Sequence, residues 1–178
     1  GVDAFRYFLL REVTLGLDGA FSEDLLVERF NSDLANDFGN LVLRTTSMLE
    51  RYFKGRVPDI GSRPAGVETA LLRKMTLSLS EKVKGAMAQF QPNLALDFIW
   101  EVVREANRFV EKTKPWALAK EKNETELRAV LVTLLEVLRS LGIALAPFLP
   151  SSSEKILRSF GMTAGSALRD FKWGALKP

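Results

Sequence analysis

Three polar side chains recur at every fourth position in the run NDFGNLVLR, and they are the first candidates for chemistry in this sequence. They are Asn36, Asn40 and Arg44. On an α-helix this spacing sets them in one row, with neighbours about 5–6 Å apart. An amide and a guanidinium one turn apart offer several donors and an acceptor, which suits the edge of an unstacked nucleobase. The alternative is a solvated polar helix face, a common feature of helices.

A second candidate is Trp116, which lies in the stretch KTKPWALAK between two helical patterns. Its indole is large and rigid, and it could stack on a base. Pro115 fixes the backbone before it and so limits the directions in which the ring can point. Lys112, Lys114 and Lys120 are close enough in sequence to meet phosphate groups. Composition alone favours the other interpretation, a tryptophan buried at a corner between helices, because aromatic residues lie mostly in cores.

The composition excludes most catalytic machinery. The chain has no histidine and no cysteine, so it can build neither a Ser-His-Asp triad nor a thiol nucleophile, and it lacks the commonest metal ligands. A site made of carboxylates alone needs acids grouped on an apolar face, and the acids here lie mostly on polar helix faces. We therefore predict no catalytic residue, no metal site and no cofactor in this chain.

The charge and hydropathy limit the partners. The net charge of +3 permits an anionic partner, but the basic residues are scattered, so charge alone does not separate RNA binding from a solvated surface. No apolar run reaches the roughly 20 residues that span a bilayer, and the first residues do not have the pattern of a signal peptide. We expect a cytoplasmic protein with no membrane partner.

The elements that must position these residues are helices. Nearly every segment repeats its apolar residues with helical spacing, which predicts an all-α helical bundle of four to five main helices. The predicted helices cover about 3–11, 23–53, 67–90, 93–112 and 125–146, with a short one over about 151–160. Ser22 is expected to cap the second helix, and Ser151 and Glu154 have the spacing of a capping box. A bend or break is expected near Asn31, because Asn, Ser and Asp are weak helix formers.

Together these motifs resemble the C-terminal part of the methionyl-tRNA synthetase family, within the class I aminoacyl-tRNA synthetases. The most specific pieces are N-x-D-L-A-N-x-x-G-N-L-x-x-R over residues 31–44 and V-E-x-x-x-P-W-x-L-A-K over residues 110–120. The similarity extends over most of the chain, from about residue 2 to 178. Sister synthetases for valine, isoleucine, leucine and cysteine carry similar bundles, and the P-W-x-L-A-K element favours the methionine family among them.

The resemblance implies a helical domain that reads the CAU anticodon of tRNA(Met). The family's anticodon-binding residues match Asn40, Arg44 and Trp116, where the tryptophan stacks on an anticodon base and the other two help to recognise the wobble cytosine. Pro115 and Glu111 match neighbours of the tryptophan that help to shape the site. The implied partners are the anticodon stem-loop of tRNA(Met) and the catalytic domain of the same polypeptide, and no DNA partner is expected.

The resemblance also implies a domain organisation. Residues 1–22 correspond to a linker remnant after the catalytic domain, residues 23–160 to the anticodon-binding bundle, and residues 161–178 to a C-terminal tail packed on the bundle. In the family, a catalytic domain activates methionine with ATP and magnesium and loads it onto tRNA. That domain is missing from this chain, which is therefore expected to be a fragment that is inactive by itself.

The catalytic motifs of the class are missing too. H-I-G-H cannot exist without histidine, and RKMTLSLS over residues 73–80 is only partly similar to K-M-S-K-S, because Leu77 stands where the second lysine belongs. Its apolar spacing predicts a core-facing helix instead. Two alternatives stay open at this point: the anticodon domain of a sister synthetase, and a helical module that binds a partner protein.

Overall fold

A computed structural model describes residues 1–19, 21–59 and 67–162. Every regular element in these ranges is helical, and no strand occurs in them, which confirms the predicted all-α bundle. The helices, in chain order, are α1 (Val2–Glu12), α2 (Glu23–Arg29), α3 (Asn40–Phe53), α4 (Val67–Ala88), α5 (Pro92–Thr113), α6 (Pro115–Lys120), α7 (Glu124–Leu145) and α8 (Pro150–Ser159), and a π-helical segment (Phe30–Gly39) joins α2 to α3. The predicted C-terminal tail lies outside the described residues from residue 163 onward.

The core is built around α7. Every residue from Thr133 to Leu145 is buried, so this stretch of the helix is covered on all sides, as expected of a helix at the centre of a bundle. The neighbours α3, α4, α5, α6 and α8 pack around it. The two charged residues within this buried stretch, Glu136 and Arg139, are paired with each other, with Arg139 Nε 3.1 Å from Glu136 Oε2. None of the helices in the described part of the chain has the length and apolar character that crossing a membrane requires.

Of the bend or break expected near Asn31, the break does not occur, and the irregularity at this point is a π-helical segment that begins at Phe30. The chain continues from α2 through the π-helical segment into α3 without leaving a helical path. The weak α-helix formers in this run are accommodated by a wider turn instead of an interruption. Gly39 suits that turn, because a Cβ built there would lie only 2.9 Å from the Leu34 carbonyl oxygen. The π-helical segment ends directly before Asn40, so it sets the angle at which α3 begins.

Two helix starts test the predicted caps. The Ser22 hydroxyl accepts a hydrogen bond from the Leu25 N–H, which confirms Ser22 as the N-cap of α2. The capping box at Ser151 is wrong, because Pro150 takes the first position of α8 and no side chain at its N-cap closes that helix. A residue from α1 caps α8 instead: the Ser151 and Ser152 N–H groups donate to the Asp3 carboxylate at 3.3 and 2.7 Å.

A polar cluster around the buried side chains of Tyr7 and Asp33 joins α1 to the π-helical segment and to α5. The Tyr7 hydroxyl donates to Asp33 Oδ2 at 2.6 Å, and Arg29 Nη1 lies 3.7 Å from the same oxygen. Arg11 contacts Asp33 at 4.0 Å and bonds the Asp97 carboxylate of α5 at 2.5 Å. Burial and the hydrogen bond to Asp33 both raise the pKa of Tyr7 above its ordinary value, so this phenol stays protonated. The cluster therefore fixes the start of the segment that leads to the candidate site.

Candidate nucleic-acid interface

The polar row predicted from the sequence lines one wall of a surface cavity. Asn36 comes from the π-helical segment, Asn40 is the first residue of α3, and Arg44 follows one turn later. All three side chains line the same cavity of about 510 Å³. The row is therefore brought together as expected, although its first member lies on a π-helical turn and not on the α-helix that the spacing predicted.

The opposite wall of this cavity comes from α5. It consists of polar side chains that recur on one face of the helix: Arg104, Asn107, Arg108, Glu111 and Lys112. Asn107 ties the two walls together, because its Nδ2 donates to the Asp37 carbonyl oxygen at 3.0 Å. The sequence motifs indicated Glu111 and Lys112 but not Arg104, Asn107 and Arg108. Their spacing marks a polar face of α5, but only the packing of α5 on α3 shows that this face meets the asparagine row.

Arg44 connects the two walls and the tryptophan. Its Nη2 lies 2.7 Å from Glu111 Oε1, and its Cζ lies 5.6 Å from the centroid of the Trp116 ring. The Arg44 side chain is 28% exposed and that of Glu111 is 62% exposed. An ion pair this open to solvent contributes about 0–1 kcal/mol to stability. Its main effect is to orient the guanidinium group beside the indole.

Trp116 is held outward by the junction between α5 and α6. Lys114 ends α5 in the left-handed conformation, with φ 43°, and the chain turns sharply there. Pro115 takes the first position of α6 and is buried, so it anchors the turn. Trp116 follows in the first turn of α6 and is 43% exposed. The buried corner position that composition alone favours is wrong for Trp116. Trp100, which is 0% exposed, fills the core instead.

The charge around the cavity is positive. Four cationic side chains line it (Arg44, Arg104, Arg108 and Lys112), against the two carboxylates of Asp37 and Glu111. Partial burial and the nearby Asp33 carboxylate raise the pKa of Asp37, although Arg104 acts in the opposite direction. The cavity is therefore suited to an anionic ligand.

The arrangement is suited to binding an unstacked base. An exposed indole offers a stacking surface, Arg44 and Asn40 offer donors and an acceptor, and the surrounding cations can meet phosphates. Among the described residues, no group of three or more acidic side chains is placed to hold a metal ion. All five side chains predicted for the site lie at this cavity or at the α5–α6 junction beside it.

Comparison with known proteins assigns this chain to a protein family. The family model described as the anticodon-binding domain of tRNA ligase matches residues 71–174, and the model described as tRNA synthetases class I (M) matches residues 1–46. The chain therefore belongs to the family of anticodon-binding domains of tRNA ligases.

Its relatives within that family are methionine–tRNA ligases. The chain is 42% identical to the enzyme of Caldanaerobacter subterraneus subsp. tengcongensis over 99% of its own length and 28% of that protein. It is 41% identical to the enzyme of Bacillus subtilis over 92% of its length and 24% of that protein. The structure of apo Mycobacterium tuberculosis methionyl-tRNA synthetase aligns with all of the chain and 36% of its own, at a TM-score of 0.92 and 36% identity.

These similarities decide between the interpretations that the sequence left open. The chain is homologous along its length to the anticodon-binding part of methionyl-tRNA synthetases, which favours this assignment over a sister synthetase and over a protein-interaction module. The chain spans about a quarter of the length of these curated relatives.

Proposed function

We propose that this chain recognises the CAU anticodon of tRNA(Met), with Trp116 as a stacking surface and Asn40 and Arg44 as the residues that read base edges. The observation that carries this proposal is the position of Arg44. Its guanidinium lies between the Glu111 carboxylate and the exposed Trp116 ring, at a cavity that Asn40 also lines. Donors and a stacking surface for one unstacked base therefore meet at one place.

The chemistry fits a cytosine at the wobble position. The pairing edge of cytosine presents two acceptors and one amino donor, so it needs donors and an acceptor from the protein. The guanidinium of Arg44 supplies donors only, and the Asn40 amide supplies both kinds of group. A uracil or a purine in the same position presents a different order of donors and acceptors and would leave part of this set unpaired, which is costly in a partly dehydrated site.

The other two predicted residues act through their neighbours. Glu111 orients the Arg44 guanidinium through their 2.7 Å ion pair, so that its N–H donors point in one direction before RNA binds. Pro115 is buried and begins α6, which keeps the Trp116 ring at the surface. Restricting these side chains in advance lowers the entropy that is lost on binding.

The remaining functions belong to the longer polypeptide. In this proposal, a catalytic domain outside this chain binds ATP and magnesium and ligates methionine to the tRNA, in the cytoplasm. This chain holds no cofactor and supplies recognition only. It contacts the catalytic domain of the same polypeptide, and it binds tRNA(Met) and not DNA.

The proposal is tested by titrating the purified chain with labelled RNA stem-loops that share one stem and differ only in the anticodon. CAU is compared with a valine anticodon, an isoleucine anticodon and a scrambled loop. We expect the CAU loop to bind about 5- to 150-fold more tightly than the others, the equivalent of about 1–3 kcal/mol. Equal, weak and strongly salt-dependent binding to all four loops would contradict specific readout. A preference for the valine or isoleucine loop would point to a sister synthetase.

A further inference from the structure

A second polar row faces the asparagine row across the cavity. We infer that Arg104, Arg108 and Lys112 on α5 bind the phosphodiester backbone of the RNA whose bases face Asn40 and Arg44. This inference rests on the proposed function and assigns a separate task to the opposite wall. One wall reads bases, and the other holds the strand.

The spacing of the row matches a nucleic-acid strand. Arg104, Arg108 and Lys112 follow one another at every fourth residue of α5, so they lie along one side of the helix. At 1.5 Å per residue, each step covers about 6 Å and the whole row about 12 Å. Successive phosphates of an extended single strand are separated by a comparable step. The row can therefore contact neighbouring phosphates without distortion of α5.

The charges at the two ends of the row are available. Arg104 and Lys112 are exposed, and neither lies within 4.0 Å of a carboxylate in the described ranges, so Arg104 acts on the Asp37 carboxyl only from a longer distance. Arg108 is different, because its Nε and Nη2 donate to Glu105 at 2.8 and 2.5 Å, which partly neutralises it. We therefore expect Arg104 and Lys112 to contribute most of the attraction for phosphates, with a smaller contribution from Arg108 between them.

The position of the row distinguishes it from a polar helix face that contacts only solvent. The same cavity is lined by Asn40 and Arg44, and the Asn107 amide holds its two walls at a fixed separation. A strand whose bases point to α3 must therefore present its backbone towards α5 or to solvent. Phosphate contacts fix the position of a strand but carry no sequence information.

The test is the salt dependence of RNA binding by the double variant Arg104→Gln/Lys112→Gln. Binding of a CAU loop and of a scrambled loop is measured across a range of salt concentrations, with wild type alongside. We expect both loops to lose affinity by the same factor. The slope of log affinity against log salt should become shallower by about 1.4, which is about 0.7 for each lost contact with a single strand. The preference for CAU should stay at its wild-type value.

A matched control is the double variant Lys74→Gln/Lys155→Gln, which removes the same charge from exposed positions on α4 and α8. Its salt slope should equal that of wild type. The inference is overturned if Arg104→Gln/Lys112→Gln keeps the wild-type slope, or if both double variants change the slope equally. Failure of the proposed function is a different result, in which the wild-type chain itself shows no preference for CAU.

Discussion

The Arg44 guanidinium carbon lies 5.6 Å from the centre of the Trp116 ring, although the two residues belong to helices far apart in the sequence. A guanidinium over an indole face gains about 0.5–1 kcal/mol at an exposed site. This contact, the ion pair of Arg44 with Glu111 and the buried Pro115 set the mutual position of α3 and α6 at the cavity. Each of these contacts can be changed separately.

Removing the Glu111 charge should strengthen RNA binding and weaken selectivity. In Glu111→Gln, one of the two carboxylates at the cavity is lost, so any anionic strand is attracted more strongly. The Arg44 donors also lose their charged partner and become less ordered. We expect tighter binding of a scrambled loop and a smaller ratio of CAU to scrambled affinity, measured by titration at fixed salt. An unchanged ratio would show that Glu111 does not orient Arg44.

The π-helical turn before Asn40 predicts that replacing its glycine will destabilise the protein. In Gly39→Ala the new Cβ would meet the Leu34 carbonyl oxygen at 2.9 Å, so the backbone must shift. We expect the free energy of unfolding to fall by about 1–3 kcal/mol in chemical denaturation. Gly85→Ala in α4 is the matched control, because a Cβ there meets nothing within 4 Å. This control should gain up to about 1 kcal/mol, as is usual for a helical glycine. Stabilisation by both substitutions would refute the requirement for glycine at position 39.

The cap that α1 provides to α8 should depend on pH. Burial acts to raise the pKa of Asp3, but the hydrogen bonds from Ser152 and Ser151 outweigh it, so the pKa lies below its ordinary value of 3.8. A lowered pKa in the folded state means that the stabilisation is present above the pKa of the unfolded chain and is lost as pH falls through the folded value.

The corresponding substitution is Asp3→Asn. We expect it to lower the free energy of unfolding by about 0.5–1 kcal/mol at neutral pH, with the difference from wild type shrinking below about pH 4. The exposed Asp18 supplies a control, since Asp18→Asn removes the same charge from an irregular segment and should leave stability unchanged. A difference between Asp3→Asn and wild type that is constant down to pH 2 would count against the charged cap.

The sequence was sufficient to predict where most helices begin and end, but not all of the contacts between them. The helices α4, α5 and α7 begin and end within about two residues of the predicted limits, because their apolar spacing is regular and Pro, Gly and Asn mark their ends. The cap from Asp3 to Ser152 could not be predicted, since it joins residues at opposite ends of the described chain and has no local pattern.

The candidate site, like the fold, could be predicted from the sequence only in part. The residue types of Asn40, Arg44 and Trp116 suggested base recognition, and the family resemblance indicated that they act together. Periodicity could not tell that Trp100 is buried while Trp116 is exposed, because that depends on the left-handed turn at Lys114. The place of Arg104 at the cavity could not be predicted either, since nothing in the sequence of α5 shows which helix the polar face of α5 contacts.

The most direct test of the account is Trp116→Ala, with Phe90→Ala as the control. Phe90 is another exposed aromatic residue, 74% accessible, and it lies just before the opposite end of α5. Affinity for the CAU stem-loop and the free energy of unfolding are measured for both variants. Loss of one base stack costs about 1–3 kcal/mol, so Trp116→Ala should bind about 5- to 150-fold more weakly than wild type. Its free energy of unfolding should fall by no more than about 1 kcal/mol, the value of the lost contact with Arg44. Phe90→Ala should bind as wild type does. Unchanged CAU affinity in Trp116→Ala, or a loss that comes only with unfolding of the bundle, would contradict the role of Trp116 as a platform for an anticodon base.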